Sequence, residues 1–359
     1  MTDFFEIDFL DVETTKSGDA IPLRYKLNGV TFIHVVDGGY QDTGQKVVDH
    51  VNKYYDNPDY IDYIVVSHPD RDHTGGLRTV LEEFEIGQLW MLRPWIYAEE
   101  IIDRFSRFTS VDNLKKRLKE VYPNIATLEE IAEDRDIPIY EPFQGDIIGA
   151  FNVMAPTKER YLDLIVESEK TPEAVDEGAR EIVGLLAEAL AKARAFVGAL
   201  WGEEKFSSEE TSVENEMSVV QYAKLCGQKI LLTADAGRTA LLEAADYAPY
   251  VGLILPGIDK FQVPHHGSRR NVSTEVLDIW LGPRLSTKPS KGEEKFTAII
   301  SSAKKDEDHP RKAVVRAAIH RGAKVYTTEG ASLQVHHDAP ERDGWGTAEV
   351  LPYPEEQED

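Results

Sequence analysis

The sequence is poor in cysteine, in long apolar runs and in positive charge. Its single cysteine, Cys226, excludes an internal disulfide framework and suits a reducing compartment. No apolar run reaches the roughly 18 to 20 residues that a membrane-spanning helix needs. The first residues lack the basic start and small-residue cleavage site of a secretory signal. We therefore expect a cytoplasmic protein without membrane contact, in which Cys226 is a buried structural thiol.

The shortage of positive charge limits the choice of partners. The chain has 40 Lys and Arg against 64 Asp and Glu, for a net charge of −24. This balance argues against a protein that coats nucleic acid backbone, because such binding depends on clustered Lys and Arg. Residues 259–324 are an exception, with 14 Lys and Arg against 8 Asp and Glu. That segment is either a confined anion site or a solvated basic face, and both interpretations stay open.

Short apolar runs and turn signals predict an α/β protein. The 359 residues are 42% apolar and 29% charged, as in ordinary globular proteins. Asn28-Gly29 between two apolar runs is typical of a two-residue β-hairpin. The predicted strands are 5–9, 23–27, 30–36, 63–66, a pair within 145–154, 218–222, 229–233 and 324–328, with a hairpin at Glu329-Gly330. The predicted helices are 43–55, 98–108, 111–121, 171–201 and 312–320.

We predict one domain over residues 1–348, interrupted by a helical insertion at about 157–212. Within it, Thr171 followed by Pro172 is a favourable helix start, and apolar residues recur at helical spacing up to about Trp201. Residues 349–359 form an acidic tail, and we expect its last five residues, 355–359, to be frayed.

Four metal-binding side chains follow one buried strand within six residues. They are His68, Asp70, Asp72 and His73, and glycines follow directly. Alternate side chains at a strand end point the same way, so His68 and Asp70 can converge on one ion while Asp72 and His73 face a neighbouring site. Imidazole and carboxylate groups bind Zn²⁺ and, where more oxygen ligands are present, Mn²⁺ or Fe²⁺. The run predicts a metal-binding loop.

Two later segments have the same character. An apolar strand ends at Asp235, which on its own is more often a turn residue than a ligand. A second strand ends at the pair His265-His266, followed by Gly267 and by Arg269 and Arg270. The glycine and the arginines suit a loop that binds phosphate.

Together these segments resemble the metallo-β-lactamase domain at the C-terminus of ComEC-type DNA-uptake proteins, over residues 5–335. The blocks that carry the resemblance are 9–12 with 17–20, 37–39, 68–76, 215–220, 233–235, 263–268 and 309–310, in the family's order. The resemblance implies an αββα sandwich and a centre of two divalent metal ions, Zn²⁺ or Mn²⁺.

The resemblance also implies a role for each site residue. His68 and Asp70 would hold the first metal; Asp72, His73 and either His265 or His266 would hold the second, with His265 favoured. Asp235 would bridge the ions, and Asp37 would orient the site from behind it. Asp72, Asp235 and His266 are assigned to catalysis, and Arg269, Arg270 and His309 to substrate. His309 is equally well explained as a surface residue that caps a helix.

The chain departs from the family in three places. No histidine occurs between His73 and His265, and the place where many relatives carry one, near 154–156, offers no ligand. Residues 13–16 replace a glycine-containing turn. The membrane-spanning part of a DNA-uptake protein has no counterpart in this sequence, so a role in DNA uptake does not follow from the resemblance.

The expected activity is hydrolysis of a phosphate ester by a metal-activated hydroxide. The acidic body favours a phosphate-containing small molecule or a short nucleic acid as substrate, with Arg269, Arg270 and Lys304 or Lys305 neutralising its charge. Two alternatives stay open. The same metal pair can hydrolyse a lactone, thioester or other carbonyl substrate, and a degenerate metal site would indicate a regulatory or scaffold protein. The sequence predicts no oligomeric state.

Overall fold

Two seven-stranded sheets are built from the short apolar runs of the sequence. The computed structural model describes residues 2–358 apart from 13, 107, 169 and 171–195. In chain order its strands are β1 (Phe4–Phe9), β2 (Ala20–Leu27), β3 (Val30–Gly38), β4 (Tyr60–Val65), β5 (Glu85–Trp90), β6 (Ile139–Tyr140), β7 (Ile147–Ile148), β8 (Phe151–Ala155), β9 (Phe196–Gly198), β10 (Val220–Leu225), β11 (Gln228–Leu232), β12 (Lys260–Gln262), β13 (Phe296–Ile300), β14 (Ala323–Thr327), β15 (Leu333–His337) and β16 (Glu356–Glu358).

The α-helices lie between these strands, and several match the predicted ones closely. They are α1 (Gly44–Tyr54), α2 (Arg71–Thr74), α3 (Leu77–Glu83), α4 (Ala98–Ile101), α5 (Val111–Val121), α6 (Pro123–Asp134), α7 (Lys158–Glu167), α8 (Val213–Glu216), α9 (Arg238–Tyr247), α10 (Thr274–Leu281) and α11 (Lys312–His320). No helix in the described ranges is both long enough and apolar enough to cross a bilayer.

The first sheet has the strand order β15-β1-β2-β3-β4-β5-β6. Strands β15 to β3 pair antiparallel, whereas β3 to β6 run parallel. The predicted hairpin is confirmed, since Leu27 pairs with Val30 across Asn28-Gly29. Both turn residues have positive φ, 52° and 86°, as a tight two-residue turn requires.

The second sheet has the order β14-β13-β12-β11-β10-β8-β7, with β11 to β14 parallel. Alternation along its strands explains the layering. Ile230 and Leu232 of β11 pack in one core with the first sheet, whereas Leu231 packs in a second core with α9, α10 and α11. Helix α3 contacts both α1 and α6, and α1 and α3 contact the first sheet. The α/β class and the αββα layering are confirmed.

Several predicted elements differ from the structure. Residues 196–198 form β9, which pairs with β16, so the end of the predicted long helix is a strand; its residues 171–195 lie outside the described residues. The expected frayed tail is wrong at β16, where the Glu358 carboxylate accepts from the backbone N–H groups of Lys312 and Ala313. Glu329-Gly330 joins β14 to β15, which belong to different sheets, and is therefore not a hairpin.

The basic segment 259–324 does not gather into one basic face. Arg316 and Arg321 are buried, at 0% and 1% exposure. Arg316 donates to the Pro354 and Leu200 carbonyls, and Arg321 donates to the Glu204 carboxylate. These cations hold the segments around β9 and β16 against α11. Cys226 is half-buried in the turn between β10 and β11, rather than fully buried.

Candidate metal centre

The candidate site lies where parallel strands of both sheets end. Asp37 is near the end of β3, and His68 comes three residues after β4. In the second sheet, Asp235 follows β11 and His265-His266 follows β12, each after three residues. Carboxyl ends of parallel strands meet at one edge of a sheet, and the sandwich brings the two edges together. Segments about 200 residues apart in the sequence therefore form one cluster.

Two glycines allow the loops of this cluster to approach closely. A Cβ atom on Gly76 would lie 2.1 Å from the Gly38 carbonyl oxygen, and one on Gly18 would lie 2.6 Å from the Asp72 carbonyl oxygen. Both distances are far below van der Waals contact, so the glycines are required where they stand. Gly18 is what lets Asp19 reach the motif, where its N–H donates to the Asp72 carbonyl.

Left-handed backbone conformations recur in the loops of the cluster. Asp37, Ala234, His265 and His266 have φ values of 57°, 45°, 47° and 54°. Such angles are uncommon for residues other than glycine and are concentrated at functional sites. At His265 and His266 they turn the chain sharply, so that two consecutive side chains both face Asp235.

Asp235 lies at the centre of four histidine rings. Its Oδ1 atom is 3.3 Å from Nε2 of His73 and 3.7 Å from Nε2 of His266. Its Oδ2 atom is 3.8 Å from Nε2 of His68 and 3.6 Å from Nε2 of His265. Each carboxylate oxygen therefore faces two imidazole nitrogens.

The other nitrogen of each ring has a hydrogen-bond partner. His73 Nδ1 lies 2.7 Å from Asp37 Oδ2, and His266 Nδ1 donates to the Ser301 carbonyl at 2.8 Å. His265 Nδ1 lies 2.9 Å from Asn271 Oδ1. A proton on Nδ1 leaves a lone pair on Nε2, which is the form that binds a metal.

Ser67 completes this pattern for the fourth ring. Its hydroxyl donates to Asp37 Oδ2 at 2.5 Å and lies 3.0 Å from Nδ1 of His68, from which it can accept. Asp37 also accepts from the Ser67 backbone N–H. Asp37 thus orients both His73 and, through Ser67, His68, which is the geometry that its predicted position behind the metals requires.

The inward atoms of this cluster are buried and have no hydrogen-bond partner in the structure. They are Nε2 of His68, His73 and His266, and Oδ1 of Asp19 and Asp235. Buried polar atoms are rarely left in this state, because each loses its hydration without compensation. Ligand atoms of three groups each lie within 4.8 Å of one another: His68, His73 and Asp235; Asp72, His73 and His266; Asp19, Asp235 and His266. A divalent cation fits this donor set.

The electrostatics of the cluster also favour a cation. Burial opposes charge on His73 and His266, but Asp235 and its neighbouring carboxylates raise the pKa of His73 well above its usual value and that of His266 to about 9. Burial raises the pKa of Asp235, yet the facing histidines hold that pKa well below its usual value. A field that attracts protons to the rings attracts a metal ion as well.

The predicted metal residues come together, with one difference in their grouping. The sequence favoured His265 beside Asp72 and His73, whereas the structure places His266 there, with its Nε2 3.7 Å from Asp72 Oδ2. Asp70 Oδ2 lies 3.9 Å from Nε2 of His68. Its other oxygen accepts from Lys170 Nζ at 3.0 Å.

The residues predicted to bind substrate differ in their distance from the cluster: His309 borders it, whereas Arg270 is held in an ion pair at the surface. The His309 ring lies 5.4 Å from the His265 ring and 6.0 Å from the His266 ring, measured between centroids, so it borders the cluster rather than capping a helix at the surface. Burial lowers the pKa of His309 to about 4, although Asp306, 3.2 Å from Nδ1, opposes this. The Arg270 guanidinium pairs with Glu209 at the surface, and the Arg269 carbonyl accepts from the Ser207 N–H.

Sequence reasoning assigned no role to three residues that the structure brings to the cluster. Asp19 is 1% exposed and accepts from the Gln262 amide. Asn215 and Asn271 both contact Nδ1 of His265, and Asn271 also donates to the Asp235 carbonyl. Asp19 and Asn215 lie in blocks that carry the family resemblance, so the sequence could have indicated that they belong to the site. Asn271 lies outside these blocks, and nothing in the sequence marked it as a site residue.

Comparisons with known proteins add little to this geometry. No family model matches the chain, and no curated protein sequence matches it. Among solved structures, CmlA, a diiron beta-hydroxylase from Streptomyces venezuelae, matches with a TM-score of 0.33 and 10% identity, over 90% of this chain and 44% of that one. A point mutant of CmlA matches with a TM-score of 0.35 and 10% identity, over 91% and 46%.

This chain therefore spans less than half the length of those proteins. The resemblance to ComEC-type domains stays a prediction.

Proposed function

We propose that this protein is a metal-dependent hydrolase of phosphate esters, acting on a nucleotide or a short oligonucleotide. The observation that carries the proposal is the arrangement around Asp235, whose two oxygens each face two histidine Nε2 atoms. A carboxylate with a separate pair of imidazoles on each oxygen is suited to bridging two ions. Zn²⁺ and Mn²⁺ are the metals that we expect for this mixture of nitrogen and oxygen donors.

The histidine pair His265-His266 would divide between the two ions. His266 would bind one with Asp72 and His73, on the Oδ1 side of Asp235. His265 would bind the other with His68, on the Oδ2 side, where Asp70 is also close. Many metallo-β-lactamase relatives carry a metal-binding histidine near the position of residues 154–156, and this chain has none there. In this arrangement His265 would supply the missing imidazole.

The exposed side of the cluster is where a substrate would enter. The side chains of Asp70 and Asp72 are 33% and 23% exposed, against 3% for Asp235. A bound pair of divalent cations would supply a water activated near neutral pH and would stabilise charge on the attacked ester. On this side Lys170 Nζ lies 3.0 Å from Asp70 and 3.8 Å from Glu214, and His309 borders the cluster. An ammonium group there favours a phosphate over a neutral carbonyl substrate.

The test is to identify the ester that the purified protein hydrolyses. Metal content would be measured by mass spectrometry. Turnover would be measured with added Zn²⁺ or Mn²⁺ on bis-p-nitrophenyl phosphate, on short labelled DNA and RNA, and on a lactone and a thioester. We expect close to two ions per chain and turnover of the phosphate substrates. Turnover of the carbonyl substrates alone would contradict phosphate ester hydrolysis. Fewer than one ion per chain, with no turnover of any substrate, would favour the alternative of a regulatory or scaffold protein with a degenerate metal site.

A matched pair of variants sharpens the choice of substrate class. Lys170→Met removes the ammonium beside Asp70, whereas Lys115→Met removes one from the exposed face of α5. We expect Lys170→Met to raise KM for bis-p-nitrophenyl phosphate about tenfold, since a charge-assisted hydrogen bond is lost. Lys115→Met should leave KM unchanged. Equal KM values in both variants would remove Lys170 from the phosphate site.

A further inference from the structure

A cavity of about 650 Å³ opens between the two sheets, away from the metal centre. It lies at the edge of the sandwich where β14 and β15, the outermost strands of their sheets, are neighbours. Residues 339–342 and 345–348 cover it. Its volume is within the range of about 300–1,000 Å³ that small-molecule sites in proteins occupy.

Part of the wall of this cavity is apolar, and polar side chains line the remainder. Ile299 and Leu333 are buried core residues of β13 and β15, one from each sheet. Tyr326, Val335 and Trp345 add apolar or aromatic surface beside them. A ligand with an apolar body would therefore fit between the two sheets.

One cationic group on the wall, Lys260, makes no ion pair within 4 Å with a carboxylate of the described residues. Its Nζ donates to Thr297 Oγ1 at 3.3 Å. Burial lowers the pKa of Lys260, Asp259 raises it and Lys324 lowers it. Arg342, in the covering segment, is already bound to Glu6 and Asp8. Lys260 is thus a half-buried ammonium group that an anion would stabilise.

We propose that this cavity binds a small amphipathic monocarboxylate. Its carboxylate would accept from Lys260 Nζ and Thr297 Oγ1, and its apolar body would lie against Ile299 and Leu333. One ammonium and one hydroxyl match a monoanion, whereas a phosphate dianion usually requires more donors than this wall offers. Glu341, an exposed rim residue, disfavours a second negative charge on the ligand.

The proposed site is independent of the proposed hydrolase activity. Lys260 is the first residue of β12 and Thr297 lies near the start of β13, whereas His265 and Ser301 follow the opposite ends of the same strands. No residue of the cavity wall belongs to the metal cluster. Failure of one proposal leaves the other standing.

The test compares three eight-carbon probes by titration calorimetry on the metal-loaded protein. Octanoate, octan-1-ol and octylammonium share an apolar chain and differ in charge. We expect octanoate to bind about tenfold more tightly than octan-1-ol, as one charged hydrogen bond allows, and octylammonium to bind most weakly. Lys260→Met should remove the preference for octanoate. Absence of saturable octanoate binding, or unchanged octanoate affinity in Lys260→Met, would overturn the proposal.

Two further variants locate the binding. Ala348→Trp fills the cavity and should weaken binding of octanoate and octan-1-ol by more than about tenfold. Lys288→Met removes a lysine that stacks on Tyr353, away from the cavity, and should leave both affinities unchanged. Thermal unfolding of each variant checks that the fold is intact. Full octanoate binding by a folded Ala348→Trp protein would place the ligand elsewhere and overturn the assignment.

Discussion

Two buried clusters of charged side chains differ in whether their polar atoms have partners. In the ion network of the first sheet, Arg24 and Arg342 donate to Glu6 at 2.7 Å each, and Arg342 donates to both oxygens of Asp8 at 2.8 Å. In the metal centre, Oδ1 of Asp235 and the Nε2 atoms that face it have no hydrogen-bond partner. Burial of carboxylates is common to both clusters, so burial alone does not distinguish them.

The difference lies in what each cluster still needs. The ion network neutralises and hydrogen-bonds its own carboxylates, so it fixes β1, β2 and the segment around Arg342 without any ligand. The metal centre instead gathers donor atoms that a bound cation would satisfy together. Removing a charge should therefore affect folding in the first cluster and metal binding in the second.

Asp235→Asn should give the largest effect, because in the proposed centre this one side chain would serve both ion positions. We expect the variant to lose both metals and to reduce turnover by more than the roughly 100-fold that loss of an outer hydrogen-bond partner costs. Its fold should remain, since asparagine has nearly the same size and keeps the backbone carbonyl that accepts from Asn271. Metal analysis, hydrolysis of bis-p-nitrophenyl phosphate and thermal unfolding measure the three effects. Asp338→Asn, in an exposed turn, is the control. Two bound ions in Asp235→Asn would contradict the bridging role.

Arg342→Met should show the opposite behaviour. It leaves Glu6 and Asp8 buried with fewer cationic partners, and breaking a buried ion pair from one side typically costs about 3–5 kcal/mol. We expect a loss of this size in the free energy of unfolding, measured with urea, while metal content stays unchanged. Arg270→Met, which breaks a surface pair, is the matched control. If Arg342→Met kept normal stability but lost metal, the ion network would support metal binding and not folding, which would contradict the distinction between the two clusters.

The sequence predicted the members of the metal centre better than their arrangement. Strand ends in a parallel sheet meet, so a histidine or aspartate run after a buried strand is visible without a structure. The positive φ values of His265 and His266 depend on packing between the sheets, and they decide which ring faces which oxygen. Asp19 is a similar case, since its position follows from the antiparallel pairing of β2 with β3.

The distribution of basic residues was predicted less well. A count of charge along the chain does not reveal which cations are buried and hydrogen-bonded inside the fold. Arg316 and Arg321 contribute to the basic balance of 259–324, yet both are used inside the fold. The acidic end of the chain is similar: residues 356–358 pair with β9 as β16, and Glu358 accepts from the N–H groups at the start of α11.

Asp37→Asn tests the hydrogen bonds behind the metals and should have an intermediate effect. Asparagine tolerates the positive φ of this position, but it cannot accept with both side-chain atoms from Ser67 and His73. We expect metal affinity to fall by about 10-fold to 100-fold, as for other outer hydrogen-bond partners. Competition with a chelator measures the affinity. Asp62→Asn, which alters a carboxylate outside the cluster, is the control. Equal affinities in both variants would remove Asp37 from the centre.

Arg270→Ala should have the smallest effect, and it separates the structure from the sequence prediction. The sequence assigned Arg270 to phosphate binding, whereas its guanidinium pairs with Glu209 and is 54% exposed. Exposed ion pairs contribute little, about 0–1 kcal/mol, so KM for a phosphodiester should change by no more than about fivefold. Added salt should reduce even this change, because exposed charges are screened. Steady-state kinetics at low and high ionic strength measure both. A rise in KM well beyond tenfold in Arg270→Ala would show that the arginine leaves Glu209 to bind substrate, and the loop after His266 would then have to be counted with the centre.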